Sequence, residues 1–465
     1  MPNPLRFLHF LSPLRNRWCG GEIVESESEE GYHPESLGLY RKFRLQRKFR
    51  GRCMKANLLL SLSFLLLVSI SMCFAARAHA RQRGGQTNPP TQNDAPSGGN
   101  IEVENWAKPQ PGWLYVLDPK PAAGEPGGRV WLVDPEAAQV MGSIRTGDGA
   151  DFALSPDGST LYVASLTGGD SSELAVIDTA EGVVLERGGV GGRAVTDALP
   201  PYSTMAVSGD GLTLRILVLA AESADKDSFL LAGFDTRSRN FLPESVHLWN
   251  CGPGRFITYR SAEQFDFFCP RTNRVRLIRV DANSHELQNL AIKLPWERRV
   301  GAAEAIEDPD TQEIAIVRGD GAVIKMNTAT QEYAETLAHP DLPDRVPPAA
   351  RPSSPDGSKI YLGYNRDYDR SYDNRFYLDY GRPPNLRPNN AMAKEFRVLD
   401  GHTWKKLGTI KTAKPFWSAV AANDGKTLYA MAPRQHSILV IDTVKMRQTG
   451  VLNVGGTPAL ALVAP

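Results

Sequence analysis

Cysteine is scarce, five in 465 residues, and Cys19, Cys53 and Cys73 fall in an N-terminal segment that the sequence marks for removal. The rest of the chain keeps Cys251 and Cys269. Metal-binding patterns are missing. The histidines after residue 80 are His247, His285, His339, His402 and His436; none stands at metal-ligand spacing, and no H-E-x-x-H occurs. No G-x-S-x-G elbow is present. Gly189-Val-Gly191 lacks the third glycine and the strand–helix context of a dinucleotide site. No catalytic residue and no metal ligand is therefore assigned. A basic excess is missing as well. Residues 1–80 hold 12 basic and 6 acidic residues, leaving 41 and 46 from Arg81 onward, a net of −5. Such a body lacks the basic footprint of a nucleic-acid protein.

What is present begins with targeting. Ala56 to Ala76 is an apolar run without charge, preceded by Lys55 and followed by Ala78-His79-Ala80. A basic start, an apolar middle and an A-x-A end predict a secretory signal peptide cleaved near Ala80. A retained anchor is the alternative, because the run is long enough to span a bilayer. Met54 stands where a start would, so residues 1–53 are set aside from the fold. Arg81 to Asn100 has no aliphatic residue larger than Ala and is dense in Gly, Pro, Asn and Gln. Residues 81–111 are expected to be a flexible arm. In an exported chain the pair Cys251 and Cys269 predicts one disulfide, two buried free thiols being the alternative.

From Gly112 to Pro465 one unit repeats. Half of it is a polar turn before a strand: Ser155-Pro-Asp-Gly, Ser208-Gly-Asp-Gly, Ser354-Pro-Asp-Gly and Ala422-Asn-Asp-Gly, each followed by an alternating apolar run. Asp-Gly supplies the positive φ of a tight hairpin turn. The other half is a strand ending in Asp or Asn, a short turn and another strand. Its pivots are Asp134, Asp178, Asp235, Asp281, Asn327, Asp400 and Asp442. Spacings of 44, 57, 46, 46, 73 and 42 residues, with about four strands per unit, predict an all-β chain. The expected architecture is a seven-bladed β-propeller over residues 112–465. The first unit lacks an innermost strand, and the last segment, from Gly455-Gly-Thr-Pro to Val463, is a strand without a blade. The two are expected to pair and to hide both sheet edges.

The 73-residue spacing holds an insertion from Asn365 to Lys394, with Tyr368, Tyr372, Phe376, Tyr377 and Tyr380. Long loops of this composition suit partner binding, with a surface loop of no role as the alternative. In a four-stranded blade, loops from the outer strand to the next inner strand share a face with those between the second and third strands. That face collects Asp148, Tyr202, Trp249 and Trp417 with the tyrosines of the insertion, and these are the candidate residues for a partner or a substrate channel. Cys251 and Cys269 sit 18 apart at the ends of a hairpin in the middle blade, a geometry that permits a bridge.

With that Cys spacing come Pro201-Tyr202-Ser203 entering blade three, Ala393-Lys394-Glu395 in blade six and the Gly455-Gly-Thr-Pro closing strand. Together these resemble the heavy subunit of the periplasmic quinoprotein amine dehydrogenases, the methylamine and aromatic amine enzymes. The resemblance covers about Gly112 to Val463. It implies a periplasmic, non-catalytic scaffold without a cofactor of its own. It also implies a small disulfide-rich light subunit that carries tryptophan tryptophylquinone, assembly as a heterotetramer, and a copper protein or cytochrome as electron acceptor. Primary amines would be oxidised to aldehydes. No stable membrane insertion is expected after signal cleavage. Two stretches depart from the family. Leu166-Thr-Gly-Gly-Asp-Ser-Ser-Glu replaces a basic stretch, and Thr146-Gly-Asp-Gly-Ala-Asp lacks an aromatic gate. The competing readings are a stand-alone exported propeller that binds a protein or surface ligand, and a propeller hydrolase with its own metal.

Overall fold

The computed structural model describes residues 101–465 except 120–126, 169–170, 195–203, 220–228, 244, 249–254, 259–263, 271–274, 282–286, 291–302, 308–312, 319–321, 328–329, 331, 339–351 and 366–391. All described residues belong to the unit Pro89–Pro465, and the expected signal segment lies outside them.

Among the described residues the chain folds as seven antiparallel sheets and a single 3-10 turn, Pro433–Gln435. The first sheet has the order β1 (Glu102–Glu104), β4 (Gln139–Thr146), β3 (Gly128–Asp134), β2 (Leu114–Asp118), β30 (Leu460–Val463). The second is β5 (Asp148–Leu154), β6 (Thr160–Gly168), β7 (Ser171–Asp178) and β8 (Val183–Gly189). In the third, β10 (Met205–Val207), β11 (Thr213–Leu219) and β12 (Phe229–Asp235) are joined by β9 (Arg193–Ala194) on β11, and by β13 (Asn240–Phe241) and β14 (Val246–Leu248) on β12. The fourth is β15 (Arg255–Thr258), β16 (Gln264–Pro270), β17 (Val275–Asp281) and β18 (Leu287–Leu290). The fifth is β19 (Ala303–Glu307), β20 (Glu313–Arg318), β21 (Ala322–Asn327) and β22 (Tyr333–Ala338). The sixth has β23 (Lys359–Tyr364), β24 (Ala393–Asp400) and β25 (Lys406–Phe416). The seventh has β26 (Ser418–Ala421), β27 (Thr427–Ala432), β28 (Ser437–Asp442) and β29 (Arg447–Asn453).

The seven pivot residues each end a strand: β3, β7, β12, β17, β21, β24 and β28. The cause is local. The side-chain oxygen at the pivot accepts backbone N–H groups two and three residues on, as Asp178 does from Ala180 and Glu181 at 2.8 and 2.9 Å. That bond turns the chain and stops the ladder. Asp-Gly turns lie at the other end, with Gly158, Gly211, Gly357 and Gly425 all at positive φ.

Sheets one, two, three, six and seven bury both faces. Leu114 and Val116 of β2 face the seventh sheet, while Tyr115 and Leu117 face the second. Separate cores lie between sheets one and two, two and three, three and four, five and six, and six and seven. Another joins sheets seven and one. Strands buried on both sides read as unbroken apolar runs such as LYVL and AVI. The arrangement is of the β-propeller type. β30 pairs with β2 from Leu117↔Leu460 to Leu114↔Val463.

Two elements differ from expectation. The arm expected to stay flexible to residue 111 is ordered from Ile101. β1 adds a fifth strand on β4, held by Arg129–Glu104 at 2.8 Å and by Arg145 on Glu104. Beyond it, Trp106 stacks on Tyr115 and donates to the Thr179 carbonyl at 2.7 Å. Among the described residues the sixth sheet has three strands and a lone bridge, Ser353↔Ile360, where an inner strand was expected; residues 339–351, which lead into it, lie outside the described ones. Pro352 has no N–H to give a ladder there; its carbonyl accepts from Tyr361 at 2.9 Å.

Candidate functional site

The site starts from the end of the fold where outer strands lead into the next inner strand. β5 opens with a bulge between Asp148 and Asp151, with Gly149 at φ +53°. The bulge turns Asp151 inward. Its carboxylate accepts from the Phe152 backbone at 2.7 Å, and from the Thr204 backbone and hydroxyl at 2.6 and 2.7 Å. Asp151 and Thr204 are both 2 % exposed, so the bonds tie the second sheet to the third in a dry setting.

Asp118 repeats the device at the first sheet. It is fully buried, and it accepts from the Thr457 backbone and hydroxyl, both at 2.9 Å. Thr457 leads into β30. Gly456 beside it is obligatory in size: a Cβ there would press on the Asp118 carboxylate and stand 2.9 Å from Trp131 Nε1. The His436 ring meets the Gly456 carbonyl at 3.0 Å. A carbonyl only accepts, so His436 Nδ1 carries the proton. Ser418 Oγ donates to the Ala459 carbonyl at 2.6 Å, fastening β26 to the closing strand.

Other buried charges have different settings. Asp266 is matched by Arg279 at 2.9 and 3.0 Å across β16 and β17. Arg215 is fully buried on β11, and desolvation pushes its guanidinium down to about 10. It lies over Gly233, where a Cβ would stand 2.6 Å from Nη1. Burial raises the Glu173 carboxyl, against the opposing pull of Arg187, 3.9 Å away.

Chemically, Asp118 and Asp151 act as fasteners, each accepting from the backbone and hydroxyl of a threonine. Among the described residues no three His, Cys, Asp or Glu side chains converge as a metal site would require. At the opposite end, a cavity of about 50 Å³ lies between sheets five and six, beside Glu313, Lys325, His402 and Trp404. It has room for one or two waters.

Of the residues singled out from sequence, Asp148 opens β5 opposite Leu166. Trp417 sits between β25 and β26 at 3 % exposure, with its backbone N–H on the Met431 carbonyl at 2.7 Å. Cys269 lies on β16 opposite Arg276. Tyr202, Trp249, Cys251, Tyr368, Tyr372 and Tyr377 lie outside the described residues. The structure does place both ends of the tyrosine-rich insertion together, because Asn365 Nδ2 donates to the Met392 carbonyl at 2.7 Å. Sequence reasoning missed Asp118, Asp151, Thr204 and Thr457. Their partners lie 339 and 53 residues apart, and no local pattern signals such pairs.

No protein-family model and no curated protein matches the chain. Solved structures resemble it. A candidate 6-phosphogluconolactonase from Bacteroides fragilis is 12% identical, covering 76% of this chain and 98% of that one at a TM-score of 0.53. A protein of unknown function from Desulfotomaculum acetoxidans is 13% identical, covering 76% and 99% at 0.52. Hydrazine synthase from Kuenenia stuttgartiensis is 16% identical, covering 77% and 99% at 0.49. At these identities the likeness is one of fold alone, and the first two structures support a fold of the β-propeller type.

Proposed function

We propose that the chain is a seven-bladed β-propeller, closed by β30 in its first blade, that serves as the non-catalytic scaffold of an exported, periplasmic complex. The complex is of the amine dehydrogenase kind. Its quinone, tryptophan tryptophylquinone, would reside in a small disulfide-rich light subunit, in a heterotetramer, with electrons leaving to a copper protein or cytochrome. One observation carries the reading. Asp118, Asp151, Thr204, Thr457 and Ser418 at the loop-bearing face are spent on strand-to-strand bonds. That face is thus a stiff frame for the loops that it presents. On it Asp148, Tyr202, Trp249, Tyr368, Tyr372 and Tyr377 are the contact residues, and buried Trp417 backs them. A channel for the amine would run under Asp148 and Tyr202.

Co-purification from the native host tests this. A small cysteine-rich chain should accompany the protein, and deletion of 367–389 should release it. A chain that purifies alone would favour a stand-alone exported propeller that binds a protein or surface ligand. Trp417→Ala should weaken the complex by about 2 kcal/mol if the ring backs an anchor; an unchanged affinity would confine Trp417 to internal packing.

A further inference from the structure

The described turns after the pivot residues share one bonding scheme, in which the pivot oxygen accepts a backbone N–H three residues on, so their remaining positions are free to set surface charge. In the first two sheets they are acidic, with Glu136 and Glu181 exposed. In the last two they are basic. The sixth sheet exposes Lys405, Lys406 and, at 48 %, Leu407; the seventh exposes Val444, at 66 %, with Lys445 and Arg447. The two turns are neighbours. β25 packs along β29, Met446 Cε would stand 3.5 Å from a Cβ on Gly408, and the Ala413 backbone donates to Gln448 Oε1 at 2.9 Å.

The acids of this corner offset only part of its charge, since residues 400–407 and 442–447 hold four basic residues against Asp400 and Asp442. Asp400 is engaged by the backbone of His402 and Thr403 at 3.1 and 2.7 Å. Asp442 is engaged by the backbone of Val444 and Lys445 at 3.0 and 2.7 Å, and by Lys445 Nζ at 3.0 Å. Residues 392–453 carry ten basic and four acidic residues, a net of +6 in a chain that totals −5 from Arg81 onward.

We propose that this corner docks on an anionic lipid surface. Protein interfaces select Tyr, Trp and Arg in pockets and deplete Lys. Here the charges are mostly lysines, the apolar groups are aliphatic, and they stand at projecting turns; Trp404 of the same turn is 2 % exposed. Lysines around a shallow aliphatic tip satisfy the two signals that stable peripheral attachment needs, charge and apolar insertion. The inference uses only these turns and is independent of the scaffold role.

Vesicle co-sedimentation of the full chain decides it, using phosphatidylcholine alone against equal parts phosphatidylcholine and phosphatidylglycerol. Binding should be confined to the anionic vesicles and fall with added salt. Each of Lys405→Glu, Lys406→Glu, Lys445→Glu and Arg447→Glu should weaken it about fivefold or more, and the four together at least about a hundredfold. Val444→Asp should weaken binding with the salt dependence retained. A thermal melt of each variant controls for folding. Equal binding to both vesicle types, as the apolar segment at residues 56–76 would give, overturns the proposal, as does indifference to the four reversals. Self-association that the reversals abolish, without vesicle binding, would assign the corner to a second copy and also overturn it.

Discussion

The Asp118–Thr457 pair offers a quantitative test of how the last strand is held. Thr457 brings two donors to a fully buried carboxylate, one to each oxygen. Thr457→Val keeps the shape and the backbone donor but deletes the hydroxyl. A hydrogen bond to a charged group contributes about 1.5–3 kcal/mol, so the variant should lose about that much. Asp118→Ala strands both Thr457 donors in a dry site at about 1–3 kcal/mol each, and it also disturbs the other contacts of Asp118. The single losses therefore do not isolate the bond. The double-mutant cycle does: once Asp118 is gone, the hydroxyl has lost its acceptor there, and Thr457→Val should cost about 1.5–3 kcal/mol less than in the parent. The readout is the urea midpoint, followed by tryptophan fluorescence and by circular dichroism, with an unchanged slope. Coupling below about 0.5 kcal/mol would refute the latch. Gly456→Ala, which pushes a methyl onto the same carboxylate, should cost about 1–3 kcal/mol through overpacking.

Acid should loosen the turns together. Hydroxyl or backbone donors hold the Asp157, Asp235, Asp356 and Asp400 carboxyls below their ordinary value, Asp356 at about 2 through the Ser354 hydroxyl. A depressed folded value means stability is present above the unfolded value of about 4 and is lost as pH falls from there towards 2, so melting temperature should drop over that window; a flat profile contradicts the assignment. Trp106→Ala removes the stack on Tyr115 and the bond to Thr179, and for a half-buried ring should cost about 2–3 kcal/mol, with faster amide exchange in β1 and β4 as its signature. A Cys251–Cys269 bridge would close a loop of about 17 residues and stabilise by roughly 3 kcal/mol. Intact mass after alkylation without reduction checks it, two alkylated thiols being the contrary result.

What was legible in the sequence was whatever is decided within a few residues. The pivots end their strands because an Asx oxygen reaches N–H groups two and three positions away, and that reach is printed in the local order of residues. The pairing of β30 with β2 was readable for a related reason, since a blade short of one strand and a strand short of a blade leave matching edges. The β1 strap was not readable. Its residues, Ile101 to Trp106, follow twenty residues rich in Gly, Pro, Asn and Gln, and composition averaged over the arm hides them. Their order comes from Arg129 and Arg145 on another strand and from the Thr179 carbonyl, none of which a window on the arm contains. Asp151 and Thr204 were missed for the same reason. A carboxylate within D-G-A-D looks like a turn former until the partner sheet is beside it.

The insertion shows why fold and function separate so cleanly here. Between β27 and β28 the chain turns in four residues, Pro433 to His436. At the corresponding place in the sixth sheet, 26 residues separate Asn365 from Met392. Loop-closure entropy grows only with the logarithm of length, so the longer connection costs about 1.7 kcal/mol more. A single fastening, the Asn365 amide on the Met392 carbonyl, is comparable in size to that difference. The sheets are therefore nearly indifferent to what the connection contains. A run of tyrosines and arginines at a position where length costs the fold so little is what the proposed partner role requires. Asn365→Ala should leave the sheets intact, with an unchanged circular dichroism spectrum, while weakening whatever the insertion binds. Loss of the sheets themselves would show that the insertion belongs to the frame.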